Sequence, residues 1–358
     1  MDAIADRARK GRGAVSNPTG RYEPARRVAI DDGWGSADAE PPPLKTTVGV
    51  DATRQIITTN DSPDIPFDRS INPYRGCEHG CVYCFARPTH AWLGLSPGLD
   101  FESKLFAKPM AASLLDKELR NPRYRCQPIA MGTNTDPYQP VEREMRVTRQ
   151  ILEVLSAFEH PVTIVTKSAL VLRDLDILAP MAARGLAAVA VSVTTLDRDL
   201  ARRMEPRAAT PERRLETIRA LAEAGVPAGV MAAPMIPALN DWELERILEA
   251  SVAAGATTAS YVVLRLPLEL DQLFQEWLTE HVPGRAAHVM SIVRQMRGGK
   301  SYDSRWGQRM RGTGVHADLL AKRYRLAMAR LGLGRRDWRL DTSRFRPPPR
   351  AGDQLSLL

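Results

Sequence analysis

The sequence predicts an α/β fold built on a parallel sheet, and three observations carry that prediction. Short apolar runs recur through the middle of the chain, each is separated from the next by a stretch of helical period, and several are apolar at successive positions. A strand covered on both faces reads that way, and parallel sheets cover both faces because their crossovers lay helices over them.

The runs are Pro128 to Gly132, Pro161 to Lys167, Leu186 to Thr194, Val226 to Ile236 and Thr257 to Leu266, and the third contains Ala187-Ala-Val-Ala-Val-Ser-Val. Between them lie well-signalled helices. Met110 to Leu119 is closed by Asn121-Pro122, since a residue before proline disfavours helix. Thr210, Pro211 and Glu212 supply an N-cap and a first-turn proline, Leu215, Ile218 and Leu221 keep the period, and Gly225 stops it. Asn240 or Asp241 opens another helix through Leu244, Ile247 and Leu248 to near Gly255. With a first strand just before Cys77 the count is six βα units. A partial (β/α)6 parallel barrel over residues 54–267 follows, with ligands expected at the C-terminal ends of its strands.

The flanks read differently. Residues 268–345 form a basic extension expected to be helical from Gln272 to Leu333. Residues 1–45 mix charges, glycines and the run Pro41-Pro42-Pro43, too polar to order themselves. They are expected to be disordered, as is a flexible tail over 346–358 that continues the Pro/Arg-rich spacer Arg344 to Gly352.

Composition sets limits. A chain of 358 residues, 44% of them apolar, holds one large domain plus appendages. No run approaches 18 uninterrupted apolar residues, so no membrane span is expected. Four cysteines and no apolar signal at Met1 argue against a secreted disulfide framework and for the cytoplasm.

Cys77, Cys81 and Cys84, spaced C-x3-C-x2-C, put three thiolates on one short loop. A zinc ion wants four ligands, and the loop's further donors are His79 and the more distant His90. A [4Fe-4S] cluster normally takes four cysteines, so three leave one iron open to a small molecule.

The stretch Asn72-Pro-Tyr-Arg-Gly-Cys77-Glu-His-Gly-Cys81-Val-Tyr-Cys84-Phe85 resembles the radical S-adenosylmethionine (radical SAM) superfamily. The resemblance implies that the three thiolates hold the cluster, that Phe85 is the aromatic following the third cysteine, and that the open iron chelates the methionine moiety of SAM. It further implies an electron donor, reductive cleavage of the sulfonium, and a 5'-deoxyadenosyl radical that abstracts hydrogen from a substrate. Met131-Gly-Thr-Asn-Thr-Asp-Pro-Tyr-Gln-Pro140 is similar to a TDPYQP signature of bacterial radical SAM proteins related to spore photoproduct lyase, a DNA repair photolyase-like subgroup. A plain turn is the competing reading. The resemblance implies that Thr133, Thr135 and Asp136 face the methionine amino group.

At the ends of later strands, Lys167 is a candidate for the methionine carboxylate, and Ser192 and Thr194 for the ribose hydroxyls. A solvated lysine and local backbone hydrogen bonds are the competing readings. Pro234-Met-Ile-Pro237 either packs on adenine or belongs to the core. Cys126 precedes the strand at Pro128 and is expected at its far end as an ordinary thiol. That departs from the lyases, which use a further cysteine near the second strand.

Charge is unevenly spread. Pro283 to Arg350 carries 17 Lys and Arg against 4 Asp and Glu, an excess of 13, which leaves the rest at −5 of the total +8. Tyr302, Trp306, Tyr324, Trp338 and Phe345 interleave with these charges, the mixture that contacts phosphates and bases. From Asp318 to Leu331 one helix puts Leu320, Tyr324, Ala327 and Leu331 on one face and Lys322, Arg323, Arg325 and Arg330 largely elsewhere. Nucleic acid is the expected partner, with a merely solvated face or a carboxylated small substrate as alternatives. Gln354-Leu-Ser-Leu-Leu358 resembles the short peptide that bacterial repair and replication proteins insert into the polymerase sliding clamp, a tether that raises local concentration at DNA.

The leading expectation is a radical SAM enzyme acting on damaged or modified nucleic acid. The alternatives are the same chemistry on a small molecule or protein, and a redox-sensing iron-sulfur protein that binds nucleic acid and catalyses nothing.

Overall fold

The computed structural model describes residues 7–25, 43–333 and 338–349. Six parallel strands, β1 (Arg69–Ile71), β2 (Ile129–Met131), β3 (Val162–Thr166), β4 (Ala187–Ser192), β5 (Ala228–Met235) and β6 (Thr258–Val263), pair in sequence order. Thr58–Thr59 adds an antiparallel edge beside β1. A doubly wound sheet reverses its order at a switch point, and this one does not. Its register runs Ser70 to Ala130, Ala130 to Thr163, Thr163 to Ala188, Ala190 to Gly229 and Gly229 to Thr258. Thr58 and Ser70 at one edge and Ser260 and Val263 at the other line one cavity, so the sheet curves into the expected partial barrel.

Helices α1 (Ala111–Leu119), α2 (Val147–Ala157), α3 (Leu175–Ala183), α4 (Pro211–Glu223) and α5 (Leu244–Ala253) alternate with the strands. All six residues of β4 are buried, as its unbroken apolar run requires, with α3 and α4 packed against it. Thr210 caps α4 as expected, its hydroxyl accepting from the Arg213 N–H at 3.3 Å, and Pro211 opens the first turn. Replacing that cap by alanine costs about 1 kcal/mol.

Beyond β6 come α6 (Leu270–His281), α7 (Pro283–Gln295) and α8 (Val315–Arg330). The helix expected throughout Gln272 to Leu333 is therefore interrupted over residues 296–314. Gly298 and Gly299, at φ 62° and 87°, adopt a left-handed backbone that ends α7. The irregular segment instead bridges the two sheet edges. Met310 O accepts from the Val263 N–H at 2.9 Å, and Asp64, in the loop before β1, accepts from Arg309 Nε at 2.5 Å and Gly307 N at 2.7 Å. Arg297, almost fully buried, ties the segment down by donating to the carbonyls of Gln308 and Leu264, each at 2.8 Å.

Within the stretch 1–45 expected to be disordered, residues 7–25 and 43–45 are described, and residues 12–16 are buried rather than solvated. Arg12 donates to Glu102 O at 2.7 Å, and the Gly13 and Ala14 N–H groups donate to the Glu102 carboxylate at 2.9 and 2.8 Å. A buried carboxylate needs donors, and this segment supplies them. At the other end Phe345 packs on Phe158, Tyr124 and His160, and Arg346 N donates to Phe158 O at 3.0 Å. The start of the expected tail is thus anchored. Pro41, Pro42 and the Gln354 to Leu358 motif lie outside the described residues. Among the described residues no helix is long and apolar enough to cross a membrane.

Candidate functional site

The cysteine loop leaves the C-terminal end of β1 and is built on buried hydrogen bonds. Cys77 N donates to Phe101 O at 3.0 Å and Val82 N to Met204 O at 3.0 Å. Gly80 turns with φ 68°, and a Cβ there would stand 2.7 Å from a Glu102 carboxylate oxygen. Arg87, fully buried under the loop, pairs with Glu102 and donates to Cys81 O at 2.8 Å and Gly80 O at 3.1 Å. Two loop carbonyls are thereby fixed, which fixes where the thiols point.

Cys77, Cys81 and Cys84 are free thiols that line one cavity of about 680 Å³ at the C-terminal ends of the strands. Among the described residues no three His, Cys, Asp or Glu side chains could hold one metal ion. A zinc ion, bound to sulfur at about 2.3 Å, needs its thiolates almost in contact, whereas a cluster takes each cysteine on a separate iron. Burial raises the pKa of all three thiols, most of all Cys77, which also faces Asp136 and the other two cysteines. Burial therefore opposes ionisation of the trio, and a cationic iron-sulfur core would favour the thiolate form. The residues fit a cluster.

The TDPYQP loop clamps this loop from the side. Gln139, fully buried, accepts from the Glu78 N–H at 2.8 Å and donates to Gly76 O at 3.2 Å, one contact on each side of Cys77. Thr135 donates to Tyr74 O at 3.0 Å, and Thr133 exchanges hydrogen bonds with Asn72. Asp136 accepts from Thr166 Oγ1 and Lys167 N, both at 2.7 Å, and from Tyr138 N at 2.9 Å, with His79 Nδ1 at 3.4 Å. Burial opposes its ionisation, but His79 and these donors outweigh it and hold the carboxyl at about 2. Thr133, Thr135 and Asp136 all line the cavity with their side chains already engaged in the protein.

Lys167, Phe85 and Ser192 line the same cavity. The Lys167 ammonium lies 5.8 Å from the centre of the Tyr83 ring, and the Arg265 guanidinium 4.6 Å from that of Phe85. Thr194 does not reach the cavity. Fully buried, it donates to Glu205 Oε1 at 2.7 Å and meets Tyr83 OH at 3.2 Å, coupling the cysteine loop to the buried Glu205–Arg214 pair. Of the Pro234 to Pro237 turn, Pro234 lines the cavity while Met235 and Ile236 are buried in the core. Cys126, ahead of β2, lies near Arg69, the first residue of β1, and so at the opposite end of the sheet from the thiols.

Sequence reasoning passed over His79 as anything but a metal donor, and it missed Arg265, Met310 and Arg311, which also line the cavity. Arg265 stands two residues past β6, so the strand-end rule could have found it. Met310 and Arg311 arrive from the irregular segment and carry no local signal.

A profile described as the radical SAM superfamily matches residues 71–250, half of the chain. An uncharacterized protein of Mycobacterium tuberculosis is 39% identical over 233 residues, 64% of this chain and 68% of that one. An uncharacterized protein of Methanocaldococcus jannaschii is 29% identical over 174 residues, 48% of this chain and 62% of that one. Among solved structures, a spore photoproduct lyase complexed with dinucleoside spore photoproduct aligns over 80% of both chains at 17% identity with a TM-score of 0.56, a likeness of fold. With three cysteines on one loop at the strand ends and half of its length matched by the profile, the chain belongs to the radical SAM superfamily.

Proposed function

We propose that this enzyme holds a [4Fe-4S] cluster through Cys77, Cys81 and Cys84, cleaves SAM reductively and acts on a damaged or modified base in nucleic acid. The observation that carries the reading is that the three thiols share one cavity with Lys167, Phe85 and Ser192 at the barrel's open end. The bound cluster and SAM supply the radical chemistry. The chain's own residues bind and orient. Lys167 offers a cation to a carboxylate, Ser192 a hydroxyl to a sugar, and Phe85 an aromatic face to a base. The clamp of Gln139, Arg87 and Glu102 keeps the thiols in register. A cytosolic electron donor and a clamp tether through Gln354 to Leu358 belong to the same proposal.

Anaerobically reconstituted protein with SAM and dithionite should form 5'-deoxyadenosine, and Cys84→Ala should not. DNA or RNA should change the yield relative to protein alone, and binding should weaken steeply with salt. A reconstituted protein without deoxyadenosine would remove the enzymatic reading. Loss of captured clamp protein on deleting Gln354 to Leu358 tests the tether.

One observation favours a small-molecule substrate instead. Arg323 and Arg330, on the expected nucleic-acid face, pair with Glu245 and Glu249 of α5 and so are spent within the protein. A flat salt dependence would support that second reading.

A further inference from the structure

The outer wall of the cavity carries more positive charge than the protein itself neutralises. Both carboxylates that line the cavity are committed: Asp64 to Arg309 and the Gly307 N–H, Asp136 to Thr166, Lys167 N and His79. Arg311 and Arg265 line it without a direct ion pair among the described residues, although the Arg265 charge is felt at Asp64, whose hydrogen bonds go to Arg309 and Gly307.

Arg265 is the more informative of the two. Its guanidinium lies 4.6 Å from the ring centre of Phe85 and 6.0 Å from that of Tyr302, and its donors reach only Tyr302 OH at 3.3 Å and Met310 Sδ at 3.5 Å. Its Nε is buried without a partner. A guanidinium lying against aromatic rings with its donor fork short of acceptors is in a state that suits a bidentate oxyanion. Arg311 is exposed at the same wall, on the segment that bridges the sheet edges. Phe85 follows Cys84 directly, so this charge stands beside the cysteine loop.

We infer that Arg265 and Arg311 form an anion subsite for a phosphate group of the substrate, a phosphodiester next to the base that enters the cavity. The inference rests on the nucleic-acid reading for the source of the phosphate, and the subsite itself on the uncompensated wall.

The test uses the full reconstituted chain and three probes: a fluorescent trinucleotide, the same trinucleotide with neutral methylphosphonate linkages, and a nucleoside 5'-monophosphate. Wild type should bind the charged trinucleotide about 10-fold or more tighter than the neutral one, the range expected of a charged hydrogen bond. Arg265→Gln should lose that preference and leave the neutral probe's affinity unchanged, and Arg311→Gln, at an exposed position, should reduce the preference. Equal affinity of wild type for charged and neutral trinucleotides would overturn the subsite and leave the nucleic-acid reading standing. Binding of the monophosphate alone, sensitive to Arg265→Gln, supports the subsite and overturns a strand as its source. No binding of any probe overturns both.

Discussion

The Arg87 guanidinium and the Glu102 carboxylate, both fully buried, form one ion pair beneath the loop that carries the three cysteines. Arg87 spends its other donors on the carbonyls of Gly80, Cys81, Pro97 and Gly98, and Glu102 accepts from the Gly13 and Ala14 N–H groups. One pair therefore joins the cysteine loop to an amino-terminal segment whose Gly13 and Ala14 lie 89 and 88 positions from Glu102. Either alanine substitution strands a buried charge and should destabilise the fold by about 3–5 kcal/mol, whereas Arg87→Met with Glu102→Leu, which removes both charges together, should cost less than the sum of the two single changes. Urea unfolding of the apo-protein measures this. A loss under about 1 kcal/mol for Arg87→Ala would show that the pair is not a support.

Gln139 makes the second support. Gln139→Ala leaves the Glu78 N–H and Gly76 O without partners in a buried place, at about 1–3 kcal/mol for each stranded group. The expected result is lower stability together with lower iron content after reconstitution, because the two groups flank Cys77. Unchanged iron content in a folded Gln139→Ala protein would contradict the clamp.

The amino-terminal segment seals the loop from outside. A Cβ on Gly13 would overlap the carbonyl of Gly80, and backbone does not yield as a flexible side chain does. Gly13→Val should expel the segment, seen as earlier tryptic cleavage within residues 7–25 and faster bleaching of the reconstituted protein's visible absorbance in air. Equal bleaching rates would mean that the segment is packing and no shield.

His160 sets an acid limit. Burial, aided by Arg69 and opposed by the bond to Pro161 O, lowers its pKa to about 4. Nδ1 donates to Pro161 O at 3.0 Å, and Nε2 accepts from Tyr124 OH at 2.8 Å, so the neutral ring is satisfied. The unfolded chain takes up its proton near 6.5 and the folded one only near 4, so stability is complete above pH 6.5 and falls between those values. The full difference is about 3 kcal/mol. His160→Gln should flatten unfolding free energy against pH in that window, and an unchanged slope would exclude His160 as its source.

Cys126 should be dispensable. Burial raises its pKa to about 11, and it sits at the opposite end of the sheet from the other thiols. Cys126→Ala is expected to keep wild-type iron content and deoxyadenosine yield. A fall in either would return it to the site.

Much of this protein was legible before folding was considered. The strands Ala187–Ser192 and Val162–Thr166 announced themselves as apolar runs, and Thr210 with Pro211 announced a helix, because period and capping are properties of neighbouring residues. Thr194 was less legible, since a hydroxyl at a strand end reads the same in sequence whether it faces a ligand or, as here, donates to Glu205.

The sequence by itself determined the three-cysteine loop, the order of six βα units and the class of cofactor they fit, all written in short spacings. Tertiary structure alone decided that residues 12–16 cover that loop, that Asp64 and Arg309 bridge the sheet's edges, and that Arg265 lies over the Phe85 ring without a direct ion pair. The physical reason is range: a spacing of three or four residues is fixed by backbone geometry. Contacts across 90 to 245 positions arise only when burial forces distant polar groups to satisfy one another.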